Sequence, residues 1–263
     1  MYPPQWPTSR AYAFLAETGS TNTEIKNRIR LSCDPVFEVI CADRQTAGRG
    51  RLGRSFFSPA GGIYFSASFP LCGKERDPAF LSLLAGLAAA ETLEKTCGAF
   101  VRLKWPNDLY LGEKKLGGIL TEYLPDRSTA VVGIGINTAL SAAEIPEALQ
   151  GVMTSLAAER LPIPERALFM RETVALCDRR IYREHALLGN TEPFVKAFND
   201  RAFLTGKHVV REDAGACVSG VVRRVADDGA LEIVRPDGTV KRITYGEVCV
   251  AADSRQTVLS FEK

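Results

Sequence analysis

The sequence predicts an α+β fold: a mixed β-sheet flanked by helices, followed by a small all-β barrel. Three observations predict it. Apolar–polar alternation at period two, the mark of a half-buried strand, recurs up to about residue 200 in hairpin-like runs rather than in strict alternation with helices. Two long stretches with helical spacing interrupt those runs. From Gly206 the chain changes to short apolar pieces (HVV, CVSGVV, ALEIV, VKRIT) separated by DDG and PDG turns. A length of 263 residues suits one large domain with a smaller one. The expected division is residues 1–203 and 204–263.

Residues 1–10 (MYPPQWPTSR) are a proline-rich lead-in with no apolar run, so they do not read as a signal peptide. Residues 11–17 (AYAFLAE) predict a strand. In GSTNTEIKNRIR, Thr21 and Glu24 stand at capping-box spacing, which predicts a helix start. VFEVICA (36–42) predicts a buried strand. GIYFSASF (62–69) alternates Ile63, Phe65, Ala67 and Phe69 with Tyr64, Ser66 and Ser68, another strand. Asp77-Pro78 reads as an N-cap followed by proline at the first helical position. The helix then runs to about Lys95, with Gly98 just past its end.

VRLKW (101–105) alternates again. WPND (105–108) predicts a turn, because proline fixes its φ and Asn and Asp favour turns. LGGILTEY (116–123) and TAVVGIGI (129–136) predict two further strands. Asp108 and Lys115 then lie on either side of a short hairpin and face one pocket. Residues 137–162 are a mixed stretch without a period. Ala167, Val174, Ile181 and Leu188 recur every seven residues, which predicts a long helix over about 165–188.

Composition excludes several classes. Basic and acidic residues number 33 and 31, net +2, so bulk charge does not make this a polyanion binder and any basic function is local. The seven cysteines (33, 41, 72, 97, 177, 217, 249) are odd in number and contain no C-x-x-C. A disulfide framework or structural zinc is therefore not expected, and reduced thiols in a cytoplasm fit better. The most apolar stretch, Phe80–Ala90, is shorter than the roughly 20 residues that span a bilayer. A cytoplasmic protein with no membrane partner and no protein-held metal is the expectation.

Four stretches carry chemistry. Gly48–Arg54 (GRGRLGR) holds three glycines and three arginines. A surface hairpin with solvated arginines is the ordinary reading. Yet a glycine-rich stretch that buries little apolar surface loses much entropy on ordering. Freed backbone N–H groups and guanidinium forks are what a phosphate recruits. The stretch reads as a loop that closes over a phosphorylated ligand, with Phe56 and Phe57 as a stacking face. Single-stranded nucleic acid is the competing ligand, and the modest net charge counts against it. In KWPNDLYLGEKKLGGILTE (104–122), a hairpin explains the turn. It explains neither the Trp beside Pro-Asn-Asp nor Gly117-Gly118 inside an apolar strand, where glycine signals close approach. ETGSTN (17–22) is accounted for by helix capping alone, and GIGIN (133–137) again suggests close backbone approach.

The order STN, QTAGRGRxGR, KWPND, KLGGIL, GIGIN and a small β-domain resembles the biotin–protein ligases, also called biotin–[acetyl-CoA-carboxylase] ligases or holocarboxylase synthetases. The resemblance covers about residues 11–250 and implies a class II aminoacyl-tRNA synthetase-like catalytic fold with a C-terminal SH3-like barrel. It implies the ligase-only class, without an N-terminal DNA-binding domain and without DNA as a partner. The implied activity joins biotin to ATP, with Mg²⁺, as biotinyl-5′-AMP. The biotinyl group then passes to one lysine of a biotin carboxyl carrier domain of acetyl-CoA carboxylase or a related carboxylase.

By the same resemblance Ser20, Thr21, Asn22 and Gln45 meet biotin. Gly48, Arg49 and Gly50 belong to the biotin side of the ligand loop. Gly118 and Gly135 let biotin lie against backbone. Arg51, Arg54, Phe56, Asn107 and Asn137 fall on the nucleotide side. Lys115 lies near the biotin carboxylate and α-phosphate, Arg51 at the phosphate, and Asp108 helps the carrier lysine lose its proton. Many relatives have Trp where this chain has Phe56, so stacking on adenine should persist with less area and no indole N–H. No Ser, Cys or His nucleophile is required, and His185 and His208 lie outside every motif. A strand edge of the main sheet is a candidate for homodimer pairing. The alternatives are a lipoate–protein ligase and a non-enzymatic single-stranded nucleic-acid-binding protein.

Overall fold

Period-two alternation is realised in a seven-stranded sheet, seen in a computed structural model that describes residues 10–71, 78–184, 191–213 and 216–251. Its strands are β1 (Ala11–Thr18), β2 (Glu38–Gln45), β3 (Gly62–Pro70), β4 (Arg102–Lys104), β5 (Asp108–Leu111), β6 (Lys114–Leu124) and β7 (Thr129–Asn137). They lie in the order β1-β2-β3-β7-β6-β5-β4. β1 runs parallel to β2, and every other neighbour is antiparallel, so the sheet is mixed.

The two faces of the sheet receive different side chains. Ile63, Phe65, Ala67 and Phe69 of β3 join Ala130, Val132, Ile134 and Ile136 of β7 in the main core. Helices α2 (Pro78–Cys97), α3 (Arg166–Arg179) and α4 (Glu192–Asn199) cover that side. α2 is apolar nearly all round, with Leu84, Leu87, Ala88, Ala89, Ala90 and Leu93 fully buried, as a helix wedged between sheet and helices must be. On the other face, α1 (Thr21–Leu31) lays Ile25 and Ile29 on Ile40 and Val131. Towards the start of α1 that face turns polar, with Thr21, Asn22 and Ser66 buried, and the site lies there.

A second, antiparallel sheet follows: β8 (His208–Asp213), β9 (Ala216–Val225), β10 (Leu231–Val234), β11 (Val240–Ile243) and β12 (Cys249–Val250), in the order β11-β10-β9-β8-β12. Trp105 joins it to the first sheet. Its ring is buried and its Nε1–H donates to the Gly229 carbonyl at 2.9 Å. The tryptophan beside Pro-Asn-Asp is thus a docking residue, with an apolar body and one polar handle.

Several local expectations change. α1 starts at Thr21, but Ser20 is its N-cap and makes no side-chain cap bond. Glu24 instead accepts from the Thr18 hydroxyl at 2.7 Å, because Thr21 is turned inward. Turn WPND leads into a strand the alternation did not separate, β5, which pairs with β6. The helix expected over 165–188 is α3 and then a π-type turn, Arg180–Glu184. Leu188 and the Asp77 cap lie outside the described residues. Within 137–162 there are two short 3₁₀ turns, Ala142–Glu144 and Glu147–Leu149. Cys33, Cys41, Cys97, Cys177, Cys217 and Cys249 are free thiols, and Cys72 lies outside the described residues. Among the described residues no helix is long and apolar enough to cross a membrane.

Arg10 fastens the start of the chain. Its Nε donates to Asp178 Oδ2 and its Nη1 to the Ser68 carbonyl, both at 2.8 Å, between the rings of Phe37 and Phe69. Its side chain is 4% exposed, so removing the partner strands a buried charge. Asp178→Ala is expected to lower stability by about 3–5 kcal/mol, read from the urea midpoint. A change below about 1 kcal/mol, the range of exposed pairs, would show that the pair is solvated instead.

Candidate active site

The site is a cleft at the polar end of α1, between the arginine loop and the β5–β6 hairpin. Fourteen of the sixteen residues expected at the site line it. Ser20, Thr21, Asn22 and Gln45 form one end. Arg49, Gly50, Arg51, Arg54 and Phe56 come from the loop, Asn107, Asp108, Lys115 and Gly118 from the hairpin, and Gly135 from β7.

The loop is a hairpin within itself. Phe56 N donates to Gly48 O at 2.8 Å and Gly50 N to Arg54 O at 2.7 Å. Leu52 sits in the left-handed region at φ 54° and is exposed. Arg51 is half-buried. One of its nitrogens, Nη1, donates to Asn107 Oδ1 at 3.4 Å and to the Gly246 carbonyl at 3.2 Å. Burial presses the Arg51 guanidinium down from its ordinary pKa; Asp108 opposes this and Arg54 adds to it. Arg54 pairs with Glu247, which also lines the cleft. The second sheet therefore supplies one wall.

The β5–β6 hairpin joins Asp108 to Lys115. A register shift between Leu109 and Tyr110 sets the two side chains together, Nζ to Oδ1 at 2.7 Å. Lysine has three N–H donors. One serves Asp108, which leaves two for anions in the cleft. The backbone of Lys115 is clamped by the stretch that carried no period: Lys115 N donates to Val152 O and Thr154 N to Lys115 O, both at 2.9 Å. Asn107 is fixed too, its Nδ2 donating to Ile119 O at 2.8 Å.

Of the paired glycines, Gly118 faces this ion pair: a Cβ there would lie 3.6 Å from Lys115 Nζ. Gly117 faces the other way, where a Cβ would meet Gly135 O at 2.3 Å. Close approach of two strands explains that glycine. Gly117→Ala is expected to cost about 1–3 kcal/mol, as forced overpacking does, seen as a lower thermal midpoint. An unchanged midpoint would mean that β6 and β7 separate freely.

Two expected residues do not line the cleft. Gly48 lies behind the loop, where a Cβ would be 2.4 Å from Phe56 O. Asn137 shares strand parity with Gly133 and Gly135. Residues 153–156 cross over it, however, and its Nδ2 donates to Thr154 O at 3.0 Å. It fastens that segment rather than facing the cleft. Phe56 lines the cleft but is turned towards β7. Its ring lies 2.5 Å from the place of a Gly135 Cβ and meets Tyr64 edge-on at 6.4 Å, burying apolar area against the glycine backbone.

Seven wall residues, Ser55, Phe65, Ile119, Leu120, Gly133, Ile134 and Glu247, were not expected from the sequence. Gly133 stood inside GIGIN and had a signal. Glu247 had none, because it reaches the loop from 193 positions away.

The sequence profile of the Biotin/lipoate A/B protein ligase family matches residues 14–138. Over 239 residues the chain is 30% identical to the bifunctional ligase/repressor BirA of Bacillus spizizenii, an alignment that covers 89% of this chain and 71% of the relative. It is 32% identical to the biotin–[acetyl-CoA-carboxylase] ligase of Paracoccus denitrificans, over 85% of this chain and 94% of that one. The biotin protein ligase of Aquifex aeolicus, solved with biotin and ATP, superposes with a TM-score of 0.76 at 28% identity, over 92% of this chain and 99% of its own. With its mixed sheet, its second antiparallel sheet and a cleft walled by the arginine loop, the chain belongs to the biotin–protein ligase family.

Proposed function

We propose that the chain is an ATP-dependent ligase that activates biotin as biotinyl-5′-AMP and transfers the biotinyl group to a lysine of a biotin carboxyl carrier domain. The observation that carries this is the convergence of Arg51 and the Lys115–Asp108 pair on one cleft whose other end is lined by Ser20, Thr21, Asn22 and Gln45.

Biotin's carboxylate and the ATP phosphates repel each other. In the first step a carboxylate oxygen bonds to the α-phosphorus while the bond from that phosphorus to the bridging oxygen breaks and pyrophosphate leaves. Charge and position are the main catalytic terms for such a step. Lys115, with two donors free, holds the carboxylate against the α-phosphate. Arg51 holds the phosphate from the loop side. Asn107 and Arg54 serve the nucleotide, and Phe56 needs only to turn to cover adenine. Mg²⁺ would come as part of the ATP substrate, as the counter-ion of its phosphates. No group of three His, Cys, Asp or Glu that could hold a metal occurs among the described residues, and the cleft's carboxylates are Asp108 and Glu247.

In the second step the carrier lysine's amine attacks the acyl carbon, AMP leaves, and the amine sheds a proton. Asp108 is the carboxylate within reach of that chemistry. We assign residues 1–203 to this catalysis and residues 204–263 to a barrel that holds the loop through Gly246 and Glu247. The edge strand β1 is the candidate edge for a homodimer, and a cytoplasmic location suits the free thiols.

The decisive experiment is biotin-dependent ATP–pyrophosphate exchange, followed by transfer of labelled biotin to a carrier domain. Exchange with biotin and none with lipoate is the expected result. Exchange with lipoate alone, or salt-steep binding of single strands with no exchange, would replace the proposal.

A further inference from the structure

Beneath the cleft, hydrogen bonds run from Lys26 to Thr21, and their direction is set at Asn22 by two acceptors, the Glu122 carboxylate and, more weakly, the Leu120 carbonyl. We propose that Glu122 is a specificity-determining positioning residue: through Asn22 and Ser66 it fixes the Thr21 hydroxyl as an acceptor facing the cleft, and so favours an acid whose ring presents an N–H, as a cyclic urea does, over one whose ring has none. This rests on the proposed biotin activity and deepens it.

The direction follows from counting protons. Lys26 Nζ lies 2.7 Å from Glu122 Oε1. An ionised carboxylate only accepts. Asn22 therefore turns its Nδ2 to Glu122 Oε2, at 2.8 Å, with the Leu120 carbonyl as a longer second acceptor at 3.3 Å, and its Oδ1 to Ser66 Oγ, at 2.5 Å. Ser66 must donate there. Its one proton is then spent, so across the 2.7 Å contact between the hydroxyls Thr21 donates to Ser66. Thr21 has no hydroxyl proton left. What remains on its oxygen is acceptor capacity alone, and Thr21 lines the cleft. Its 3.2 Å approach to Gln45 Oε1 is consequently not a second bond, and the Thr21 backbone N–H serves that oxygen at 2.9 Å.

Burial keeps the order from being scrambled. Ser66 is fully buried and Thr21 and Asn22 are each 3% exposed, so solvent offers few competing partners. Gly133 is part of the device, since a Cβ there would stand 2.3 Å from Asn22 Oδ1. Burial pushes the Glu122 carboxyl up. Bonds from Lys26 and Asn22, with the charges of Lys26 and Arg49, outweigh it and hold the group below the usual range.

Glu122→Gln keeps the shape and turns the polarity against the relay: Lys26 only donates and so takes the new amide's oxygen, its N–H₂ then faces Asn22 Nδ2, and the Leu120 carbonyl alone is left to hold Asn22. Dissociation constants for biotin and desthiobiotin (which keeps the urea) are to be measured beside a competition constant for lipoic acid, the kcat of adenylation, the KM for ATP and the urea midpoint. Biotin and desthiobiotin are expected to weaken together by about tenfold, the worth of one hydrogen bond. Lipoic acid, kcat and the KM for ATP should stay within about twofold. Ser66→Ala cuts the relay at its other end and must show the same pattern, so the test stands if one variant fails to fold. Unchanged biotin binding, equal weakening of biotin and lipoic acid, or a loss confined to kcat would overturn the inference. A wild-type protein that binds neither urea would instead overturn the ligase reading itself.

Discussion

Lys115→Ala is expected to slow biotin adenylation by about 10²–10³-fold, the cost of deleting one preorganised charge donor, while biotin binding persists. The ammonium sits 2.7 Å from Asp108 on a backbone held on both sides by residues 152 and 154. It is therefore in place before the reaction and costs no reorganisation during it. Its value is greatest when carboxylate and α-phosphate are forced together and least when biotin is bound alone. Biotin-dependent pyrophosphate exchange and titration calorimetry separate the two. Lys115→Arg should restore little, since a planar fork cannot replace a compact charge with three rotatable donors. Retained exchange in Lys115→Ala would remove this residue from the chemistry.

Arg51→Gly is expected to release biotinyl-AMP about 10²-fold faster and to label bystander proteins. Truncating one partner of a partly buried charged contact acts mainly on the off-rate. Arg51 is the loop residue tied both to the hairpin, through Asn107, and to the second sheet, through the Gly246 carbonyl. Losing it would remove the proposed phosphate contact together with the loop's anchor. The exposed Arg54, paired with Glu247 at the rim, should matter less. Filter-binding decay of labelled adenylate gives the rate, and a streptavidin blot of added albumin gives the bystander labelling. Labelling no higher than wild type would sink the role. The adenylate is water-labile, so a loop that retains it would protect it as well.

The lysine and arginine predictions draw on residues that local spacing brought forward and the family resemblance gave roles, but the geometry behind them lay elsewhere. Lys115 was legible beside Asp108 as two ends of a hairpin. The shift in register at Leu109 and Tyr110 that joins them was not. Asn137 shows the limit of resemblance. Its motif placed it on the nucleotide side, and a crossing segment without a period covered it. Phe56 shows another limit, since the chain tells that an aromatic is there and not which surface it covers.

Strand alternation, the apolar girth of α2, and the arginine and glycine spacing of the loop are properties of neighbouring residues, so the chain alone determined the α+β class and the phosphate-binding character of the loop, while most of the cleft's membership was legible through the resemblance of its motifs. The tertiary structure decided what depends on distant segments meeting. It brought Gly246 and Glu247 to the loop from 195 and 193 residues away, and ran Val152–Thr154 beside Lys115. It also set Glu122 against Asn22 across 100 positions, giving the hydroxyls their direction. Hydrogen bonds and ion pairs act over a few ångströms whatever the sequence separation, and no local pattern records which distant groups will come that close.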